Sequence, residues 1–239
     1  MKSSPLLFPL FAAFVLAVAA RAADPKPNQL SANEKAAGWR LLFNGTSLDG
    51  WRGFKQSGPP ASGWEIKDGV LTCVKGGKGG DIITREQFDD FELSWEWSMP
   101  PKSNNGVKYF ITESRPGTGA VGHEYQMIDD TLVHGDDRSS TGSFYLVVAP
   151  NAKKKVKPFG EWNQSRVIVQ GNRVEHWLNG EKVVSYEAGS PAILEQVAKT
   201  KFKGVPGFGT KIRGHLLLTY HNDECRFRNV KVREIKPVK

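Results

Sequence analysis

The chain has 239 residues, a formal net charge of +8 and two cysteines. Its positive balance does not indicate a nucleic-acid partner. The densest basic run, "KKKVK" at 153–157, sits between Pro150 and Pro158 as a solvated loop should, with no interleaved aromatics for base stacking. No segment beyond the N-terminus is long and apolar enough to cross a bilayer.

Lys2 precedes an apolar stretch from Leu6 to Ala20, which ends on Ala20-Arg21-Ala22. Residues 1–22 therefore read as a signal peptide of an exported protein, secreted or periplasmic, with no membrane span after cleavage. Cleavage removes Lys2 and Arg21 and takes the formal charge from +8 to +6. Residues 23–37, with Pro25 and Pro27, read as a linker with one helical turn at 31–37, and a single domain is expected over 38–236. Strand patterns dominate it. They fall at 40–43, in the hairpin "WEIKDGVLTCV" turning at Asp68-Gly69, and at 91–99, 106–112, 122–129 and 143–148. "RVIVQGNRVEHWLNGEKVVSY" gives three more, joined at Gly171-Asn172 and Asn179-Gly180. "SPAILEQVAK" is the one later helix, with Ser190 as cap and Pro191 at its first position. Strands at 214–221 and 225–235 close the chain. So many short strands predict an all-β, two-sheet antiparallel β-sandwich or jelly roll, because one sheet alone leaves its apolar face uncovered. Cys73 and Cys225, near opposite ends of the chain, are either a disulfide or two separately buried thiols.

Several strands carry polar groups on one parity. In "FELSWEWSM", Leu93, Trp95 and Trp97 oppose Glu92, Ser94 and Glu96; in "GHEYQMID", Tyr125 and Met127 oppose Glu124 and Gln126. Lys108 opposes Val107 and Tyr109, and His221 shares the parity of Leu217 and Thr219. Trp177 lies on the parity opposite to Val174, His176 and Leu178. Outward faces of antiparallel sheets are ordinarily polar. Here, however, Glu124 and Gln126 bracket a tyrosine, Asp129 and Asp130 cluster at the strand end, and "KSNNG" offers Asn104 or Asn105 to a groove. Glu96, Lys108, Glu124 and Gln126 are thus expected to converge in one pocket. No phosphate loop, HExxH, CxxC or GxSxG motif is present. The five histidines show no close ligand spacing, so any metal site would be assembled from distant strands.

"LFNGTSLDGW", "GWEIKDGVLT", "FDDFELSWEW", "SNNGVKYF", "EYQMID", "GEWNQSRVIVQGNRVEHWLNG" and "FRNVKVREI" follow one another in an order that closely resembles the 3-keto-disaccharide hydrolase domain family, from about Gly38 to Ile235. The resemblance implies a concanavalin A-like jelly roll acting on a carbohydrate substrate, glycosides with a ketone at C3. The family's polar positions fall on Glu96, Asn105, Glu124, Gln126, Asp129 and the region of His221, where relatives read roughly "LQDHG" and this chain has "LTYHND". A C3 ketone acidifies the C2 hydrogen, so a base can form an enolate that expels the C1 substituent, and water then completes a net hydrolysis. The candidate bases are Glu124 and His221. Lys108, Asn105 or a bound divalent metal ion are candidates to stabilise the enolate, Glu96 or Asp129 to serve as acid or metal ligand, and Gln126 and Trp177 to bind substrate. The ExDxxE strand pattern of jelly-roll glucanases is absent. A non-catalytic, lectin-like carbohydrate-binding module is the alternative.

Overall fold

The computed structural model describes residues 26–236 apart from 116 and 118. The expected signal peptide at 1–22 and the first residues of the expected linker lie outside the described residues. In chain order the elements are α1 (Ala32–Ala36), β1 (Arg40–Leu41), β2 (Trp51–Gly53), β3 (Trp64–Lys67), β4 (Val70–Cys73), β5 (Ile82–Thr84), β6 (Phe91–Ser98), β7 (Asn104–Ile111) and β8 (His123–Ile128). There follow β9 (Asn163–Gln170), β10 (Arg173–Leu178), β11 (Glu181–Glu187), α2 (Pro191–Ala198), β12 (His215–Leu218) and β13 (Cys225–Glu234).

The strands form two antiparallel sheets. The larger has eight strands in the order β11-β10-β9-β6-β13-β4-β3, with β1 also on β13; the smaller has five, β2-β5-β12-β7-β8. This is the jelly-roll sandwich expected from the sequence, and its hairpins turn where the two-residue signals stand. Asp68-Gly69 and Asn179-Gly180 hold all four residues at positive φ, between 48° and 89°, the combination that lets a two-residue turn follow the twist of its strands. Ser190 accepts from the Ile193 N–H to open α2, with Pro191 inside the first turn.

The interior is built by strand alternation. Leu93, Trp95 and Trp97 of β6 face Tyr125 and Met127 of β8 across the sandwich, all at most 2% exposed. The Trp95 indole N–H donates to the Met127 sulfur at 3.3 Å, and the Trp97 N–H to Ser165 Oγ at 2.8 Å. Each such side chain contributes about 1.5–3 kcal/mol of transfer free energy on burial. Cys73 and Cys225 are direct cross-strand partners of β4 and β13, present as two buried free thiols. Burial pushes the Cys73 thiol up to about 12.

Three features depart from the sequence reading. The strand expected at 143–148 makes only the isolated bridges Tyr125↔Phe144 and Phe144↔Val148. Leu146, at a φ of 64°, turns the chain back on itself there. β2 and β5, three residues each, are too short to show an alternation and were not expected. Finally, the segment read as linker is fastened to the domain from Asn28 onward. Asn28, 7% exposed, accepts from the Asn229 N–H at 2.9 Å, donates its amide to Gly69 O at 2.7 Å, and donates its own backbone N–H to Asn229 Oδ1 at 2.6 Å. The Ser31–Glu34 capping box of α1 then holds the Glu34 carboxylate beside Lys231 of β13.

No helix among the described residues is long and apolar enough to cross a membrane. The Asn28 clasp has a measurable consequence. Asn28→Ala strands the Asn229 N–H and Gly69 O, each costing about 1–3 kcal/mol when buried without a partner, so urea unfolding should show a loss of at least about 2 kcal/mol. A loss below about 0.5 kcal/mol would place this segment outside the cooperative unit.

Candidate active site

The site lies on the outer face of the smaller sheet, along β7 and β8. Because Val107, Tyr109, Tyr125 and Met127 fill the interior, the opposite parity carries Lys108, Glu124 and Gln126 outward. Lys108 and Glu124 are direct cross-strand partners, as are Gly106 and Gln126. A small apolar cluster of Ile83, Ile111, Ala120 and Leu217 floors one end of this face. An open cleft of about 350 Å³ stands over it, lined by Lys108, Glu124, Val121, Lys201, Phe202 and Val205 among others. That volume falls within the range of small-molecule sites.

Two local features set the Glu124 carboxylate in place. Its side chain lies across Gly106, where a Cβ would come within 2.2 Å of Glu124 Oε1; the glycine allows the acid to lie flat on the strand. Its backbone C=O accepts from the Tyr145 N–H at 3.0 Å, which fixes the edge of β8. Burial raises the Glu124 carboxyl above its ordinary 4.5, with Asp81 adding to the rise, while Lys108, Lys201 and His221 oppose it. No described protein group donates a hydrogen bond to the Glu124 carboxylate. Lys108 donates only a long 3.4 Å contact to Ala120 O, and the Lys201 ammonium sits over the rings of Tyr145 at 4.9 Å and Phe202 at 5.4 Å. One carboxyl group and two ammonium groups thus line a cavity without being paired to one another.

A polar strip continues from this cleft. Gln126 Nε2 donates to Asn104 Oδ1 at 3.3 Å, and Asn104 Nδ2 contacts His221 Nε2 at 3.4 Å. Its other ring nitrogen, Nδ1, faces Asp223 Oδ2 at 3.8 Å. Asp223 in turn accepts from the Asn104 N–H at 3.1 Å.

The structure thus gathers Lys108, Glu124, Gln126 and, through Asn104, His221. It does not gather the others. Glu96 projects from the outer face of the larger sheet, on the far side of the core, where Arg228 Nε donates at 2.7 Å and Asn229 Nδ2 at 2.9 Å. The expected convergence of Glu96 with Glu124 fails for that reason. Trp177 is on the same far face, under the Arg166 guanidinium at 4.4 Å, with its indole N–H given to Glu175. Asn105 points inward, 1% exposed, its Oδ1 accepting from the Gly106 N–H and its Nδ2 buried without a hydrogen-bond partner among the described residues; its neighbour Asn104 is the one that reaches the strip. Asp129 caps the 3-10 turn Asp130–Leu132. Burial alone would push its carboxyl up, but donation from the Lys102 N–H and from the hydroxyl and N–H of Thr131 outweighs this and lowers it.

The residues that the sequence reading missed are Lys201, Phe202 and Val205. The run "KTKFKGVPGFGT" carried a signal, since a Gly/Pro-rich segment with two aromatics is more than a connector. Among the described residues no three His, Cys, Asp or Glu side chains converge as a cation site. A second cleft, of about 220 Å³, lies on the larger sheet between Trp39 and Trp177, and its central acid Glu92 is closed by Arg166 and Arg233.

Residues 38–233 match the family model described as the 3-keto-alpha-glucoside-1,2-lyase-like domain. The chain belongs to this family. A 3-keto-disaccharide hydrolase of Bacteroides thetaiotaomicron, 29% identical, aligns with 83% of this chain and 79% of its own length. A candidate glycosyl hydrolase of Parabacteroides distasonis, known from a crystal structure, is 34% identical over 88% of this chain and all of its own, with a TM-score of 0.79. Another crystal structure from that organism, at 22% identity and a TM-score of 0.61 over 82% of this chain and 99% of its own, shares the fold. In this lyase-like domain the alternation of β7 and β8 assigns one side to the core and the other to the cleft.

Gly106→Ala tests the placement of Glu124. The added methyl meets the flexible carboxylate rather than backbone, so the variant should fold with a melting point within a few degrees of the parent while Glu124 swings away. Ligand binding or turnover at the cleft should drop at least about tenfold. Unchanged activity would mean that the acid does not work from this position.

Proposed function

We propose that the protein cleaves the glycosidic bond of glycosides whose sugar ring carries a ketone at C3, by proton abstraction and elimination followed by hydration. The observation that carries this reading is the Glu124 carboxylate, raised by burial, accepting no hydrogen bond from any described residue, with Lys108 on the cross-strand position beside it and Lys201 lining the same sugar-sized cleft. A general base needs a free lone pair and a pKa moved toward the working pH; Glu124 has both. Membership of the 3-keto-alpha-glucoside-1,2-lyase-like family and the name of the Bacteroides thetaiotaomicron relative support the ketone and the glycoside.

In the reaction Glu124 takes the C2 proton, and the electron pair of that C–H bond moves into the C2–C3 bond as the C3 carbonyl becomes an enolate. The Lys108 ammonium, on the cross-strand partner of Glu124, stabilises the oxyanion by charge and hydrogen bond. Collapse of the enolate restores the C3 ketone, forms a C1–C2 double bond and breaks the C1–O bond. His221, orientated through Asn104 and the Gln126 amide, is the candidate proton donor to the departing oxygen. Water adding at C1, with a proton returned to C2, yields the free 3-keto sugar, so the sum is hydrolysis. The N-terminal signal pattern supports action outside the cytoplasm, in the periplasm or beyond the cell.

Incubation with a 3-keto-glucoside and its unoxidised parent decides the matter. Release of the aglycone from the ketone alone is expected, with the unsaturated or hydrated 3-keto sugar as co-product. Saturable binding without turnover would instead make this a carbohydrate-binding module. Glu124→Gln should reduce kcat at least ~10²-fold, and near-parental rates would remove it from the mechanism.

The pH profile carries its own sign. The base works ionised, so kcat/KM is lost as pH falls through the raised Glu124 pKa, giving an acid limb with a midpoint above 4.5. Lys108 lowers that pKa, so in Lys108→Met the limb should move to higher pH, alongside a loss of about 10²-fold or more in kcat. A limb that stays in place would assign it to another group.

A further inference from the structure

Directly behind the Lys108–Glu124 pair, on the core side of the same two strands, Tyr109 and His123 are also cross-strand partners. Together with Tyr186 of β11 and His176 of β10 they form an unbroken buried chain. The Gly209 N–H donates to His123 Nε2 at 3.1 Å; His123 Nδ1 meets Tyr186 Oη at 2.7 Å; Tyr186 Oη meets Tyr109 Oη at 2.8 Å; Tyr109 Oη meets His176 Nε2 at 2.7 Å; and His176 Nδ1 meets Gly142 O at 2.9 Å. Both ends are backbone groups of fixed polarity, and they determine every proton between them. His123 accepts at Nε2 and so donates from Nδ1, each tyrosine accepts from one side and donates to the other, and His176 accepts at Nε2 and donates from Nδ1 to the carbonyl. Both imidazoles must be neutral for this order to hold, and burial, the largest cause in each case, holds His123 down to about 3 and His176 to about 4.

The two backbone ends belong to the two segments that frame Glu124. Gly209 lies in the 199–212 loop that carries Lys201, Phe202 and Val205 into the cleft, and Phe208, beside it, stacks on Phe202 with centroids 4.1 Å apart. Gly142 donates its N–H to Gln126 O at 2.8 Å and begins the segment whose Tyr145 N–H holds Glu124 O and whose Tyr145 ring carries the Lys201 ammonium. We propose that this chain is a positioning device: its His and Tyr side chains fix the 199–212 wall and the 142–145 edge relative to each other, and so set Lys201 and Phe202 against Glu124. This rests on the cleft being the catalytic site proposed above. His123, Tyr186, Tyr109 and His176 face away from the cleft and act through the wall rather than on substrate.

Tyr186→Phe keeps the ring and removes the acceptor for His123 and the donor to Tyr109. The variant should melt cooperatively. Trypsin should cut after Lys199, Lys201 or Lys203 about tenfold faster than in the parent, the change expected when one buried donor loses its partner and the segment opens locally. On a 3-keto-glucoside kcat should fall about tenfold. Leu71→Ala, in the fully buried interior of β4, is the control. It should lower the melting point at least as much yet leave both loop cleavage and kcat at parental values at 25 °C. Tyr186→Phe cleaved at the parental rate would overturn the proposal. Where that variant does not fold, Tyr109→Phe breaks the chain at the next link, and hydrogen exchange on the unaltered protein decides independently: the Gly209 amide should exchange as slowly as the β7 and β8 amides, and fast exchange there sinks the idea. Failure of every form to turn over the ketone would refute the proposed activity, while the proteolysis and exchange results would still judge the positioning chain.

Discussion

The paired alternation of β7 and β8 is the constraint on which the rest of the structure depends. An antiparallel pair sends successive residues to opposite faces, and here the faces meet different surroundings. Tyr109 and His123 enter a closed interior where every polar atom needs a partner, whereas Lys108 and Glu124, one residue along in each strand, enter a cleft where polar atoms must remain free. A one-residue slip of register would bury a lysine and a glutamate in the core and expel a tyrosine and a histidine. The cost of burying unpaired charge, several kcal/mol per ion, makes such a slip prohibitive, so the same hydrophobic demand that builds the sandwich also fixes the geometry of the site.

The electrostatics of Glu124 follow from its place at that boundary. Burial favours the neutral carboxyl, and the two lysines with His221 favour the carboxylate; the net direction is upward because burial is the largest cause and neither lysine forms an ion pair with the acid. A lysine within hydrogen-bond reach would have pulled the pKa down, as Arg52 does to Glu113, which it holds at about 2 through paired contacts of 2.7 Å. The separation leaves a base that is tuned but not neutralised, and the long 199–212 loop supplies one of the two cations that make the balance.

Much of the fold was legible because its determinants are local. Asp68-Gly69 and Asn179-Gly180 specify their own turns, Ser190-Pro191 opens its own helix, and the parity of Trp95, Trp97, Tyr125 and Met127 marks the interior. The site was legible only in part, because parity says which residues face outward but not from which sheet. Glu96 and Glu124 have the same sequence signature, an acid alternating with aromatics, yet they leave the sandwich in opposite directions. Asn104 and Asn105 differ by one position, and only the register with Ile128 and Met127 shows which of them faces out. Lys201 shares the cleft with Glu124 across more than seventy residues of chain, a proximity that no local spacing encodes. The histidines looked unremarkable because none is near another in sequence, although His123 and His176 belong to one hydrogen-bond chain.

Pairing separates a site from an ordinary charged face more clearly than exposure does. On the outer face of the larger sheet the carboxylates are closed by their neighbours. Glu92 is held by Arg166 and Arg233, Glu96 by Arg228 and Asn229, and Glu175 by Arg173, Lys182 and the Trp177 indole. Each is low in exposure or flanked by aromatic rings, and each would attract attention on burial alone, but its lone pairs are committed to fixed donors, so accepting a proton from a ligand would first require breaking charge-assisted bonds. Glu124 carries no such commitment. The fold therefore closes Glu92, Glu96 and Glu175 with fixed donors where they stabilise the larger sheet and leaves Glu124 without one where the smaller sheet presents a cavity, and this difference in hydrogen-bond occupancy is the physical reason for assigning chemistry to one face of the sandwich and architecture to the other.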